Sequence, residues 1–333
     1  MTKRIVVALM WSFAHEQPES AERQRKFLPP RRGIVENREG LLDTRMHGSM
    51  RTMAFTTLVS AQGLATHLDD PAWRVFDCRH DLAQPQAGEV AYRGAHIPGA
   101  QFLHVDRDLS GPLTGRNGRH PLPDPALLAG KLARAGVSNE SQVIAYDDAG
   151  GAYAARPWWL LRWLGHVRVA VLDGGITAWV EAGYPLTDRD PPVAPATFDW
   201  RLTAPTIDAA AALRADLLLI DARAPARYRG EQEPIDPVAG HIPGAVNRPF
   251  RDNLDDDELF KPPAQLRAEF EQLLQGRAAQ SAVAYCGSGV TACHNLLALE
   301  IAGLPGARLY PGSWSEWCSD PQRPVEKTVR SEA

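Results

Sequence analysis

The stretch of this 333-residue chain with the makings of a reactive site is Tyr285-Cys286-Gly287-Ser288-Gly289-Val290-Thr291-Ala292-Cys293. A short apolar run, Ser281-Ala282-Val283-Ala284, precedes it, and a helix-like His294-Asn295-Leu296-Leu297-Ala298-Leu299-Glu300 follows. The pattern reads as strand, tight loop and helix, with Cys286 at the carboxyl end of the strand. Backbone N–H groups of the loop, and those opening the helix, would then face the sulfur. Such a nest at a positive helix end stabilises an anion and favours thiolate over thiol. Gly287 and Gly289 let the backbone curl around a single atom. The design suits a nucleophilic sulfur.

A cysteine on an apolar strand is also an ordinary small core residue. The loop speaks against that reading, because a core cysteine needs no cradle. A phosphate-binding P-loop is excluded by the glycine spacing and by the lack of a following Gly-Lys-Ser/Thr. A cysteine phosphatase would carry an arginine just past the loop, where Ala292 and Cys293 stand. Zinc is not expected, since Cys286 and Cys293 lack a second close Cys or His pair.

The elements that must position this loop occur twice. The first copy contains Phe76-Asp77-Cys78-Arg79, then Gly94-Ala95-His96-Ile97-Pro98-Gly99-Ala100, Ala145-Tyr146-Asp147, and a close at Trp179. The second contains Ile220-Asp221-Ala222-Arg223, then Gly240-His241-Ile242-Pro243-Gly244-Ala245, Ala284-Tyr285-Cys286, and a close at Trp317. The offset is 144 residues from Asp77 to Asp221, 145 from His96 to His241, and 139 from Asp147 to Cys286. Order this regular indicates a duplicated domain. Apolar runs alternate with helix-like segments at 126–135, 158–164, 265–274 and 296–301. The expected fold is therefore α/β, two tandem domains, each a mainly parallel sheet flanked by helices. The boundaries are a disordered leader at 1–54, domain 1 at 55–187, a proline-rich linker at 188–199, domain 2 at 200–322, and a charged, mobile tail at 323–333. Asp147 occupies the place of Cys286 in the first copy, so only the second can form a thiolate. Ligands of open α/β sheets bind outside the strands' carboxyl ends, which places one site per chain at this loop.

With 36 Lys+Arg against 40 Asp+Glu, the net charge of −4 gives no reason to expect nucleic acid or an anionic membrane as partner. No apolar run reaches membrane-spanning length. Four scattered cysteines, Cys78, Cys286, Cys293 and Cys318, make no disulfide framework, and a working thiolate suits a reducing, cytoplasmic setting. The leader reads as the product of a start site placed too far upstream, with initiation expected near Met50 or Met53. The aromatic residues Trp158, Trp159 and Trp163 sit at helical spacing and read as packing. His294 reads as a helix cap or surface residue. Asp255-Asp256-Asp257-Glu258 reads as a solvated acidic loop or helix start, not a metal site.

The twin Asp-x-Arg and His-Ile-Pro-Gly-Ala motifs, the closing Gly312-Ser313-Trp314-Ser315-Glu316-Trp317, and the loop from Cys286 through Thr291 resemble the two-domain rhodanese family, thiosulfate and 3-mercaptopyruvate sulfurtransferases. The resemblance covers residues 55–322. It implies an inactive first and a catalytic second rhodanese-like domain, and a ping-pong reaction without cofactor or metal. Cys286 would take sulfur from a small-molecule donor as a persulfide and pass it to cyanide, a thiol or thioredoxin. The positions Gly287, Gly289, Val290 and Thr291 would bind the donor. The Cys-Gly-Ser-Gly-Val-Thr form is similar to the 3-mercaptopyruvate enzymes, whereas animal thiosulfate enzymes carry an Arg-Lys pair after the cysteine. The likeness assigns Ser288 to a relay with a first-domain histidine, for which His96 is the match, although its twin His241 also fits a structural turn. It assigns Arg227 to the donor carboxylate. The family's second arginine is replaced by Ile235, which leaves the donor open between mercaptopyruvate and thiosulfate, unless Arg229 or another residue covers the role. Arg223, twinned with Arg79, reads as structural. The alternatives are a rhodanese scaffold that binds or senses without turnover, and sulfur relay to a protein acceptor.

Overall fold

The computed structural model describes residues 54–328. The expected leader, apart from Ala54, lies outside the described residues, as do positions 329–333. The short apolar runs form nine parallel-paired strands among the described residues. In the first half these are β1 (Leu58–Val59), β2 (Trp73–Asp77), β3 (Ala100–Phe102), β4 (Gln142–Tyr146) and β5 (Val169–Leu172), in the order β1-β5-β4-β2-β3. The second half holds β6 (Leu218–Asp221), β7 (Val246–Asn247), β8 (Ala282–Tyr285) and β9 (Arg308–Leu309), in the order β7-β6-β8-β9. All residues of β4, β6 and β8 are buried, as parallel strands covered on both faces require.

The helices of the first half are α1 (Ala61–Ala65), α2 (Ala87–Gly94), α3 (Val105–Asp108), α4 (Pro125–Arg134), α5 (Ala155–Trp163) and α6 (Gly175–Glu181). Those of the second are α7 (Pro225–Arg229), α8 (Pro263–Leu274), α9 (Ala292–Ile301) and α10 (Ser313–Trp317). Local chemistry sets their ends. Asp124 Oδ1 accepts the Leu127 N–H at 2.9 Å, and Pro125 fills the first turn of α4. By contrast α9 is apolar on nearly every side, and a helix of that kind is stable only when surrounded. It packs against α5, and one apolar core runs from Trp158 and Trp159 to Leu296 and Leu299 across both halves. His294 is accordingly not at the surface. It is fully buried, stacks on Phe260 at 4.5 Å, and pairs through Nε2 with Gly150 O at 2.9 Å in the first half.

The repeated motifs turn out to be braces. Arg79 binds Asp77 at 2.6 Å and donates to Ala95 O at 2.7 Å, just before His96. Arg223 binds Asp221 at 2.7 Å and donates to Gly240 O at 2.7 Å, just before His241. Each buried ion pair thus pins the start of a His-Ile-Pro-Gly-Ala turn. The turns in turn hold the end of each half, His96 pairing with Thr187 and His241 with Glu326. The tail is therefore not free through residue 326. Trp317 Nε1 donates to Pro324 O at 2.9 Å, and Glu326 caps the Gly244 N–H at 3.0 Å. The linker is likewise tied down, with Tyr92 donating to Asp190 at 2.7 Å and Ala196 N–H to Ala133 O at 2.8 Å.

Candidate active site

Cys286 follows β8, and the loop 286–291 leads into α9. Its side chain is 2% exposed. The N–H groups of Gly289 and Ser288 approach Sγ at 3.1 and 3.5 Å. These donors belong to the loop; the opening of α9 adds no hydrogen bond to the sulfur. Gly289 has φ near +81°, and a Cβ there would meet Pro311 O at 2.4 Å, so glycine is required for the curl. Behind the loop, Trp314 N–H donates to Cys286 O at 3.0 Å and Ser315 N–H to Gly287 O at 2.9 Å. The other thiols are held neutral. Burial raises Cys293 to about 12 and Cys318 to about 11, and pushes Cys78 well up.

The first half shows what the nest prefers. Asp147, at the Cys286 position, receives four backbone N–H groups, from Ala149, Gly151, Tyr153 and Ala154, at 2.8–2.9 Å. The fold's cradle is an anion receptor, filled by a carboxylate on one side and by sulfur on the other.

The relay to Ser288 differs from the expectation. His96 does not reach the loop: its Nδ1 pairs with Tyr92 O at 2.7 Å and its Nε2 with Arg189 O at 3.1 Å, while the ring stacks on Tyr92. His241 repeats that arrangement on Tyr228, so both are turn histidines. The histidine at Ser288 is His120, whose Nδ1 lies 2.6 Å from Ser288 Oγ and whose Nε2 lies 2.9 Å from Asp106 Oδ1. A carboxylate accepts, so Nε2 carries the proton and Nδ1 accepts from the Ser288 hydroxyl. Burial, reinforced by the Arg156 charge, lowers His120 to about 4, so the ring is neutral near pH 7. A serine, a neutral imidazole and a carboxylate in line can pass a proton between them.

Domain 1 delivers this relay on the segment between β3 and α4. Arg119 N–H donates to Ser315 Oγ at 3.0 Å, and Gly118 lies so close to Gly312 O that a Cβ would stand 2.6 Å from it. Arg156, fully buried, bridges His120 O and Gly289 O, each at 3.0 Å, and so locks relay to loop.

Two guanidinium groups converge over the cysteine. A Cβ on Gly287 would stand 2.8 Å from Arg119 Nη2 and 3.6 Å from both terminal nitrogens of Arg227. Arg227 is buttressed by Glu233 at 2.7 Å and shares the Asp236 carboxylate with Arg119. Burial holds Asp236 above its ordinary range despite both arginines. Ile235 is 43% exposed and Arg229 pairs with Glu231 at 2.8 Å, so neither serves the site. Arg119, from the other half, is the second cation beside Arg227. With Tyr153, Val290 and Thr291 these groups line a cavity of about 270 Å³ above Cys286 and Ser288. Arg223 borders it too, but its guanidinium is spent on Asp221 and stacks on Trp314.

Asp106, Arg119 and His120 were not singled out by the sequence motifs. The lack of a second-copy histidine between His241 and His294 leaves His120 without a twin, but His80, His104 and His166 share that property, so it does not single His120 out.

The rhodanese-like domain model matches residues 60–182 and 206–320. A Pseudomonas aeruginosa protein named "Probable 3-mercaptopyruvate sulfurtransferase" is 53% identical over 82% of this chain and 99% of its own length. The mouse thiosulfate sulfurtransferase is 35% identical over 79% of this chain and 92% of its own. Among solved structures, the 3-mercaptopyruvate sulfurtransferase from Leishmania major superposes with a TM-score of 0.71 at 30% identity, covering 79% of this chain and 74% of that one. Among the described residues no helix is long and apolar enough to cross a membrane.

Proposed function

We propose that this chain, which belongs to the rhodanese family and is a sulfurtransferase, takes its sulfur from 3-mercaptopyruvate through a persulfide on Cys286. The observation that carries the choice of donor is the Ser288–His120–Asp106 relay. Attack of the Cys286 thiolate on mercaptopyruvate sulfur breaks the S–C bond and leaves the pyruvate enolate, a strong base. The donor's thiol proton passes through Ser288 to His120, and returns by the same path to the enolate carbon. The products are the Cys286 persulfide anion and pyruvate, with charge and protons balanced. Thiosulfate needs no such traffic, because the same attack expels sulfite as a stable dianion. A relay built into the site is therefore matched to the carbon leaving group.

Arg119 and Arg227 hold the donor carboxylate, in place of the loop cations that would attract thiosulfate. The loop N–H groups stabilise the persulfide. A small thiol or thioredoxin then takes the outer sulfur, in a cytoplasmic setting that keeps the cysteine reduced. The reaction calls for no cofactor, and neither nucleic acid nor membrane takes part.

Thiocyanate formation from cyanide, measured with the two donors in parallel, tests the reading. Mercaptopyruvate should give the higher kcat/KM. A clear preference for thiosulfate would overturn the donor assignment, and the lack of added sulfur mass on Cys286 after donor treatment would overturn the persulfide. Cys286→Ser should abolish transfer while preserving the fold.

A further inference from the structure

Beside the relay, domain 1 gathers a second set of ligand-type groups. His80 follows β2, and His104 and Asp106 lie at the start of α3. One ring nitrogen from each histidine and one Asp106 oxygen lie within 4.8 Å of one another. The histidines are 8% and 2% exposed, and their rings meet edge to face at 5.6 Å. Each keeps one buried nitrogen, His80 Nδ1 and His104 Nε2, with no hydrogen-bond partner among the described residues. Such an orphan costs about 1–3 kcal/mol, and a cation bound at that nitrogen would relieve it.

The geometry points to a divalent transition-metal site, of the zinc and cobalt class, formed by His80, His104 and Asp106 and acting as a brake on the proton relay. Two imidazoles and a carboxylate, completed by water, are a ligand set for such ions, whereas calcium and magnesium select oxygen. Asp106 is the link. Its Oδ1 accepts from His120 at 2.9 Å, while its Oδ2 lies 3.8 Å from His104 Nδ1. At 42% exposure its side chain also gives an ion a way in. A cation on Oδ2 withdraws charge from the carboxylate that stabilises protonated His120, so occupancy slows turnover that uses the relay. This coupling rests on the mercaptopyruvate reading; the binding itself does not. His104 Nδ1 now accepts the Asp106 N–H at 3.1 Å.

The binding arm uses the full chain carrying Cys286→Ser, which removes the competing thiolate. Zn2+ is titrated by calorimetry and Co2+ by absorption. One ion per chain is expected, with a Co2+ spectrum of nitrogen and oxygen ligation lacking a sulfur charge-transfer band. His80→Ala or His104→Ala should weaken binding by at least about tenfold, and His80→Gln serves if alanine compromises folding. No saturable binding, or binding unchanged by these variants, overturns the site. The second arm follows wild-type turnover in buffered Zn2+. Mercaptopyruvate turnover should slow several-fold while thiosulfate turnover is spared, since an ion on Cys286 would stop both. His80→Ala should lose this sensitivity with its metal-free rate unchanged. Equal inhibition of both donors overturns the brake, and His120→Ala tests the relay itself without metal.

Discussion

Replacing His120 by alanine separates the two donors more sharply than any other change. The ring is 5% exposed and uses both nitrogens, on Ser288 at 2.6 Å and Asp106 at 2.9 Å. General acid–base assistance of this kind is worth about 10²–10⁴ in rate, or about 3–5 kcal/mol at 1.36 kcal/mol per decade. That whole amount applies to mercaptopyruvate, whose enolate must be protonated. With sulfite as leaving group there is no proton to move, and the loss should stay within about threefold. Asp106 is 42% exposed and resolvates when its partner goes, so the fold should lose only the hydrogen bonds of one buried side chain, about 1–3 kcal/mol. The assay is steady-state thiocyanate formation with each donor, alongside urea unfolding to confirm a folded sample. Asp106→Asn should fall between wild type and His120→Ala, because geometry survives while charge does not. An equal loss with both donors, in a folded protein, would refute the relay and leave His120 as packing. Undiminished mercaptopyruvate turnover would refute it outright.

Arg119→Met should raise the mercaptopyruvate KM about tenfold to a hundredfold with kcat little changed, since one charged hydrogen-bonding arm is lost and the chemistry is untouched; an unaltered KM would remove Arg119 from the donor site. Gly289→Ala forces a side chain onto a left-handed residue 2.4 Å from Pro311 O, so the urea midpoint should drop by an amount equivalent to roughly 1–3 kcal/mol, and transfer should fall as the N–H leaves the sulfur. Stability should also depend on pH. Burial lowers His120, His166 and His294 to about 4 each, against about 6.5 in the unfolded chain. Between those values the unfolded state binds more protons, so this stability is full above pH 6.5 and drains away as pH falls toward 4. Urea midpoints at pH 7 and pH 5 should show the decline, and His294→Gln should flatten it; an equal slope in that variant would mean His294 is not the neutral ring its surroundings imply.

The duplication and its strands were legible because both rest on local pattern. Val283 to Tyr285 and Val143 to Tyr146 are unbroken apolar runs, and parallel strands buried on two faces have no other way to look. Cys286 was legible because a Gly-Ser-Gly loop after such a run has no packing purpose. The relay was not. His120 and Ser288 are 168 residues apart and sit in different halves, and nothing periodic marks a loop residue that acts across an interface. The family resemblance pointed to His96, while its twin His241 already fitted a structural turn; what is shared between the copies holds the turns, and the unshared His120 is what meets Ser288. His294 misled for a related reason. A polar residue on a helix suggests a wet face, but α9 has no wet face, and Gly150 O of the other half supplies the partner.

Asp147 keeps its nest permanently occupied, whereas the sulfur nest must fill and empty once per cycle. A half whose receptor is sealed can no longer compete for donor, and its neighbouring loops are released to work on a site that is not their own. The chain is in effect a heterodimer fused head to tail, with Cys286 and Ser288 carried by one half and His120 and Asp106 by the other. A gene fragment encoding either half alone would carry an incomplete enzyme, however well it folded. Lesions in the two halves would be expected to complement each other only where the interface between Arg156 and Gly289 could re-form.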